Sequence, residues 1–211
     1  SGHAIIGLYL DNASVVQKVT IIPRGQAGGY NLMTPKEEKM MNTKNDLLAK
    51  ITSYMGGRTA EEMFFEDVTT GAVNDIEQAT NIARDMVTLY GMSDLGLIKY
   101  DSGNENVFLG RDYNSPSNVS GQVAFEIDQE VRKIVNECHE KAKEVIGEHK
   151  EELIKIATAL MEYETLTSSQ IEKIVKGESI EEEFTDHNTP STLVETEVAA
   201  TEEVTDTHTE A

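Results

Sequence analysis

The sequence has almost no cysteine and no long apolar run. Cys138 is its single cysteine, which excludes an internal disulfide and a cysteine-rich metal site. A single cysteine also fits a reducing compartment. No apolar run approaches the roughly 20 residues that a membrane-spanning helix needs, and no secretory signal peptide is expected. We therefore predict a soluble stretch that makes no membrane contact of its own.

Basic residues are scarce as well, and acidic ones are concentrated towards the end of the chain. Only 18 Lys and Arg face 38 Asp and Glu, for a net charge of −20. Binding to nucleic acid or to an anionic membrane surface needs a basic face, so neither is expected. Residues 178–211 contain eleven acidic residues and no Lys or Arg. This segment cannot bury enough apolar area to offset chain entropy, which predicts a folded domain at 1–177 and a disordered acidic tail at 178–211.

The first residues resemble part of a zinc-binding motif. In H-E-x-x-H on a helix, two histidines four residues apart bind zinc and the glutamate acts on the attacking water. Ser1-Gly2-His3 fits the last three positions, and the missing His-Glu would directly precede Ser1. A lone histidine before an apolar helix also fits a packed or an exposed residue. We call the chain with His-Glu added directly before Ser1 the extended chain.

A second candidate ligand lies at the start of a later helix. The segment 69–80 reads TTGAVNDIEQAT, in which a glycine-containing turn leads to Asn74 and Asp75. Asx and Thr residues at this point are typical of helix capping. A carboxylate here would equally complete a zinc site of two histidines and one carboxylate. The local sequence leaves both interpretations open.

The spacing of apolar residues predicts a mainly α-helical fold with a small β hairpin or sheet. The strands are expected at 15–22 and 30–33, where an exposed edge could accept a substrate peptide or the sheet could simply cap the helices. Gly56-Gly57 are expected to interrupt a helix while allowing close helix approach. The other helices are predicted at 2–10, 44–55, 58–65, 75–90, 119–145, 149–163 and 167–175, with a loop at 101–118.

Other polar or reactive side chains have simpler interpretations. Glu61-Glu62 fit a solvated helix face, or one of them could orient a ligand histidine through its second ring nitrogen. Cys138 is predicted to be a small buried residue on an apolar stripe. His139 and His149 are predicted to lie on the surface.

Taken together, these segments resemble the peptidase domain of FtsH-type membrane-bound ATP-dependent zinc metalloproteases over roughly residues 2–175. The segments that carry the resemblance are GHAIIG at 2–7, KVTIIPRG at 18–25, GGY at 28–30, YMGGRTAEEMFF at 54–65, TTGAVNDIEQATNIARDMVTLYGMS at 69–93 and the helical stretch around 118–175.

The resemblance implies a zinc site to which this chain contributes two ligands. His3 matches the second histidine of H-E-x-G-H, and Asp75 matches the aspartate of G-A-x-N-D-I. The first histidine and the general-base glutamate would lie upstream of Ser1, so no catalytic residue is assigned within the chain. The chain as given is therefore expected to be proteolytically inactive.

The resemblance also implies partners that the chain does not carry. ATP and Mg²⁺ would act only through an ATPase module, and the sequence has no G-x-x-x-x-G-K-[ST] motif. The intact protein would be a membrane-anchored homo-hexamer at the cytoplasmic face that degrades unfolded or membrane proteins in quality control. The alternative is a catalytically inactive, ring-forming helical scaffold in which His3 and Asp75 are incidental.

Overall fold

The chain folds mainly into helices, as its sequence predicts. The computed structural model describes residues 1–23, 28–36, 39–65, 67–100 and 119–180. The helices are α1 (Gly2–Tyr9), α2 (Lys44–Phe65), α3 (Val73–Thr88), α4 (Gly121–Glu148), α5 (Lys150–Tyr163) and α6 (Ser168–Lys176), with a short 3₁₀ turn at Thr70–Ala72 before α3. The strands are β1 (Val15–Thr20), β2 (Tyr30–Thr34) and β3 (Thr165–Thr167).

The three strands form one antiparallel sheet in the order β2-β1-β3. The predicted hairpin is confirmed as β1 and β2, with an irregular register between Val16 and Lys18. Val19 lies opposite Asn31 on one side and opposite Leu166 on the other. Within the described part of the chain, β2 therefore has a strand neighbour on one side only, and no strand pairs with its other edge.

Helix α2 is the frame of the fold, because it packs against α1, α3 and α4. It runs unbroken through Gly56-Gly57, so the predicted interruption is wrong. Each glycine costs a helix about 1 kcal/mol relative to alanine. That cost is offset by packing, since the bare backbone at Gly56 lets α1 approach closely. The predicted close approach is therefore confirmed.

The apolar stripes of the later helices are core, as predicted. Helix α4 buries every third or fourth residue, among them Ile127, Val131, Ile134, Cys138 and Ala142. The prediction of a buried Cys138 is confirmed. Helix α6 begins with a capping box, in which Thr167 accepts from the Gln170 backbone and the Gln170 side chain accepts from the Thr167 backbone.

One packed unit extends from Ser1 to Ser179. The predicted loop at 101–118 lies outside the described residues, as does nearly all of the predicted tail, so the domain boundary at 177 and the disorder of 178–211 stay predictions. None of the described helices is both long and apolar enough to cross a membrane.

Candidate metal centre

His3 is held in position by the approach of α1 to α2. An added Cβ at Gly2 would lie 2.2 Å from the Gly56 carbonyl oxygen, so the two backbones meet with no room for a side chain. One residue further along α2, a Cβ at Gly57 would lie 2.6 Å from Cε1 of His3. The bare backbone of α2 therefore forms a wall against which the imidazole ring lies.

Asp75 is positioned by a different part of helix α2. The Glu61 carboxylate accepts hydrogen bonds from the Thr69 hydroxyl at 2.7 Å and from the Thr69 backbone amide at 3.1 Å. Arg58 donates to the Thr69 carbonyl at 3.1 Å. Thr69 caps the 3₁₀ turn that leads into α3, and Asp75 lies in the first turn of α3. Helix α2 thus fixes both candidate ligands.

The two candidate ligands meet although they are 72 residues apart in sequence: Nε2 of His3 lies 3.0 Å from Oδ2 of Asp75. The side chains are 29% and 26% exposed, so a ligand can reach them. Helix α3 has no side-chain cap hydrogen bond. Of the two roles left open by sequence, the helix cap is therefore not observed for Asp75, and the ligand role stays a prediction.

The donor set fits zinc. Zn²⁺ is bound by His nitrogen and carboxylate oxygen at about 2.0–2.2 Å with tetrahedral geometry, which puts two such ligand atoms roughly 3.3 Å apart. The observed 3.0 Å is close to that separation. No group of three or more His, Cys, Asp or Glu side chains suited to a metal is found in the described ranges. His3 and Asp75 are therefore two candidate ligands, and a complete catalytic zinc site would need a third protein ligand.

A cleft of about 730 Å³ lies beside the pair. Its walls combine helix and strand residues, including His3, Asp75, Tyr54, Asn31, Leu32 and Lys50. This volume lies within the roughly 300–1,000 Å³ typical of ligand sites. Burial and then the nearby Asp75 carboxylate raise the pKa of Tyr54, so its phenol stays a neutral hydrogen-bond donor at neutral pH.

The two glutamates on α2 contact different elements. Glu61 is bound to Thr69, as described above, whereas Glu62 lies 3.0 Å from Nε2 of His139 on α4. Their suggested role beside a ligand histidine stays a prediction. For Glu61, the contact found is with the segment that carries Asp75 rather than with His3.

His139 and His149, which were predicted to lie on the surface, are partly exposed, with 22% and 25% of their side chains accessible. The ring of His149 stacks on that of Tyr9 with centroids 3.4 Å apart, which packs the α4–α5 junction against the end of α1. Sequence spacing along α4 could not reveal partners that come from α1 and α2.

Replacing Glu61 with glutamine should destabilise the fold by about 1 kcal/mol near pH 7, because the charged acceptor of two Thr69 hydrogen bonds is lost. The hydrogen bond from the Thr69 side chain, and then that from its backbone, lower the pKa of Glu61. Because the pKa of Glu61 is lower in the folded state, its ionised form stabilises the fold at any pH above the pKa of the unfolded chain, about 4.3 for glutamate. This stabilisation is lost as the pH falls through the folded-state pKa. Urea unfolding at pH 7 and at pH 3 measures both effects.

The matched control for this prediction is Glu77→Gln on α3, an exposed glutamate. It should alter neither the stability at pH 7 nor its pH dependence. Equal stability of Glu61→Gln and the unaltered chain at both pH values would show that the Thr69 contacts contribute nothing.

A histidine and an aspartate that meet beside a cleft lined by a strand fit a metallopeptidase domain, although other classes of protein share this arrangement. The chain belongs to Peptidase family M41, whose family model matches residues 1–174. This confirms the resemblance to FtsH-type peptidase domains, and it makes the chain part of a metalloprotease family.

Several relatives carry the name ATP-dependent zinc metalloprotease FtsH. The protein of Acholeplasma laidlawii is 59% identical over 174 residues, which cover 82% of this chain and 27% of the relative. That of Bacillus subtilis is 50% identical over 188 residues, 88% of this chain and 30% of the relative. That of Aster yellows witches'-broom phytoplasma is 46% identical over 210 residues, 98% of this chain and 29% of the relative. The chain therefore spans less than a third of these relatives.

Proposed function

We propose that the chain supplies two zinc ligands and the polypeptide-binding cleft of an ATP-dependent zinc metalloendopeptidase. The observation that carries the proposal is the 3.0 Å separation of His3 Nε2 and Asp75 Oδ2. Both side chains line one cleft with β2, whose outer edge has no partner among the described strands. An open edge can accept an extended polypeptide as an added strand, which favours the substrate-binding interpretation of the hairpin over simple capping.

Each group has a distinct task in this proposal. Zinc, when bound, supplies Lewis acidity towards the scissile carbonyl and the attacking water. His3 and Asp75 hold the ion, while β2 holds the polypeptide beside it. The first histidine ligand and the general-base glutamate would be the two residues directly before Ser1, as the family resemblance implies. In the chain as given, the zinc ion would therefore lack one of its protein ligands, and no residue is assigned as the base that takes the proton from the attacking water.

The wider activity is also part of the proposal. The substrates would be unfolded or membrane proteins, delivered by an ATPase module with ATP and Mg²⁺. The intact protein would be a homo-hexamer anchored at the cytoplasmic face of the membrane and active in protein quality control. The name shared by relatives at 46–59% identity, of which this chain covers less than a third, supports the ATP-dependent zinc metalloprotease activity. The hexamer, the membrane anchor and the substrates rest on the family resemblance alone.

The scaffold alternative treats His3 and Asp75 as incidental. In that case their 3.0 Å contact would be an ordinary hydrogen bond between an imidazole and a carboxylate. What favours the enzyme is that both side chains are partly exposed and line the same cleft. The residues directly upstream of Ser1 discriminate the two, because His-Glu is expected for the enzyme and any other pair for the scaffold.

Diffraction at the zinc absorption edge tests the proposal directly. Crystals of the extended chain grown with zinc should give an anomalous peak about 2.0–2.2 Å from both His3 Nε2 and an Asp75 carboxylate oxygen. A full-occupancy peak at other residues, with none between His3 and Asp75, would contradict the proposed site.

Replacing Gly57 with alanine should lower the zinc affinity of the extended chain roughly 10- to 100-fold, the range for changes that misorient a ligand histidine. The new methyl group would lie 2.6 Å from Cε1 of His3, so the ring has to move relative to Asp75. Competition with a chromogenic chelator measures the affinity.

Gly147→Ala is the matched control, because its added Cβ would meet nothing closer than Met63 at 3.7 Å. It should bind zinc as tightly as the unaltered extended chain. If the two alanine variants bind zinc equally well, the Gly57 wall does not set the position of His3.

A further inference from the structure

The two polar side-chain atoms of Asn31 on β2, Nδ2 and Oδ1, are shielded from solvent yet have no hydrogen-bond partner among the described residues, whereas the residue as a whole is partly exposed. A carboxamide offers two donors and one acceptor, and leaving a buried one unsatisfied is destabilising. Asn31 also lines the cleft that contains His3 and Asp75. A costly polar group therefore lies in the wall of the proposed substrate cleft.

The position of Asn31 in the sheet makes the amide more unusual. Asn31 lies opposite Val19, which in turn lies opposite Leu166 on β3. Residues paired across strands share a face of the sheet, and both of these neighbours are buried apolar residues. Asn31 is thus the polar member of an otherwise apolar row. A leucine of similar size would fit this row without the cost of an unsatisfied amide.

We infer that Asn31 is a substrate-positioning residue whose carboxamide turns from its shielded position towards the cleft and hydrogen-bonds the backbone of a polypeptide lying there. A carboxamide presents the same donor and acceptor groups as a peptide unit, so it can pair with backbone of any sequence. The ligand class is therefore an extended, unfolded polypeptide, recognised through its main chain. This inference rests on the proposed function, because it assumes that polypeptide occupies the cleft.

The inference is tested by comparing affinity with stability in one variant. Fluorescein-labelled β-casein serves as the unfolded polypeptide, and its binding to the full chain is followed by fluorescence anisotropy with chelator present, so that no cleavage contributes. Asn31→Leu should bind about tenfold more weakly, equivalent to about 1.4 kcal/mol. Its thermal unfolding midpoint should be equal to or higher than that of the unaltered chain, since the unsatisfied amide is gone.

Gln17→Leu is the matched control on the neighbouring strand. Its amide already donates to the Thr34 hydroxyl at 2.9 Å, and it does not line the cleft. It should leave the casein affinity unchanged. A purely structural role for Asn31 would alter the unfolding midpoint but not the affinity, so the two roles give different results.

Two further measurements keep the test decisive. If Asn31→Leu does not fold, Asn31→Ser takes its place in the same comparison. In NMR spectra, the side-chain NH₂ signals of Asn31, assigned by their loss in the variant, should shift when casein is added. Casein binding that is unchanged in the variant, or NH₂ signals that do not move at saturation, would overturn the inference and leave the proposed function intact. A failure of the unaltered chain to bind casein at all would overturn both.

Discussion

Replacing Asp75 with asparagine in the extended chain should remove tight zinc binding while leaving the helices intact. Asparagine keeps an oxygen of nearly the same position and can still hydrogen-bond His3, so the local packing survives. It lacks the negative charge that a zinc ligand contributes, and amide oxygens are not among the usual zinc ligands. The loss of affinity should exceed the 10- to 100-fold typical of changes outside the direct ligands. Zinc competition and far-UV circular dichroism measure the two properties.

The matched controls are Glu61→Gln and Glu62→Gln, which also exchange a carboxylate for an amide. Glu61 is bound to Thr69 and Glu62 lies beside His139, so both variants should cost much less zinc affinity than Asp75→Asn. Full zinc affinity in Asp75→Asn, together with loss in either glutamate variant, would transfer the ligand role to that glutamate.

The contact between His3 and Asp75 shows what local sequence can and cannot predict. Each residue on its own fits a common structural role, and nothing in the spacing between two positions 72 residues apart indicates contact. Only the resemblance to a family joined them as ligands. The structure adds the physical reason for the contact, because α2 supports both residues, one through its glycine wall and the other through Glu61 and Thr69.

At Gly56-Gly57, helix propensity alone gives a wrong prediction. Glycine lowers helix stability, which predicts an interruption, yet α2 continues because α1 packs against the bare backbone. The same pair did predict the close approach, since no other residue allows it. The continuity of α2 at this point therefore depends on its tertiary contact with α1, which the local sequence does not reveal.

Strand β3 was missed for a related reason. It has three residues, Thr165–Thr167, which are too few to give a recognisable alternation. It exists because Leu166 is buried opposite Val19, more than 140 residues earlier in the chain. Longer features with an internal period, such as the α4 stripe and the β1–β2 hairpin, were predictable because their pattern repeats locally. Nothing in the sequence singles out Asn31, because it is unusual only as the polar residue in a cross-strand row that is otherwise apolar.

The 211-residue chain should show no proteolytic activity even with zinc supplied, and the extended chain should bind zinc tightly and cleave unfolded protein. His3 and Asp75 give the ion two protein ligands of the three expected in a catalytic zinc site. The base that would take a proton from the attacking water is not assigned in this chain. In the extended chain His3 also moves away from the first residues of α1, where helices fray. Zinc stoichiometry and casein cleavage, measured side by side, check both statements.

Two altered extensions separate the metal from the base. His-Gln before Ser1 should restore tight zinc binding without cleavage, because it supplies the third ligand but no base. Ala-Glu should restore neither, because without a firmly held ion the attacking water is not acidic enough for the base to deprotonate and the scissile carbonyl is not polarised. Robust, chelator-sensitive cleavage by the 211-residue chain would instead require a further ligand and a base. The described residues offer no cluster of three metal-binding side chains from which these could come, so that result would refute the assignment of His3 and Asp75 as an incomplete site.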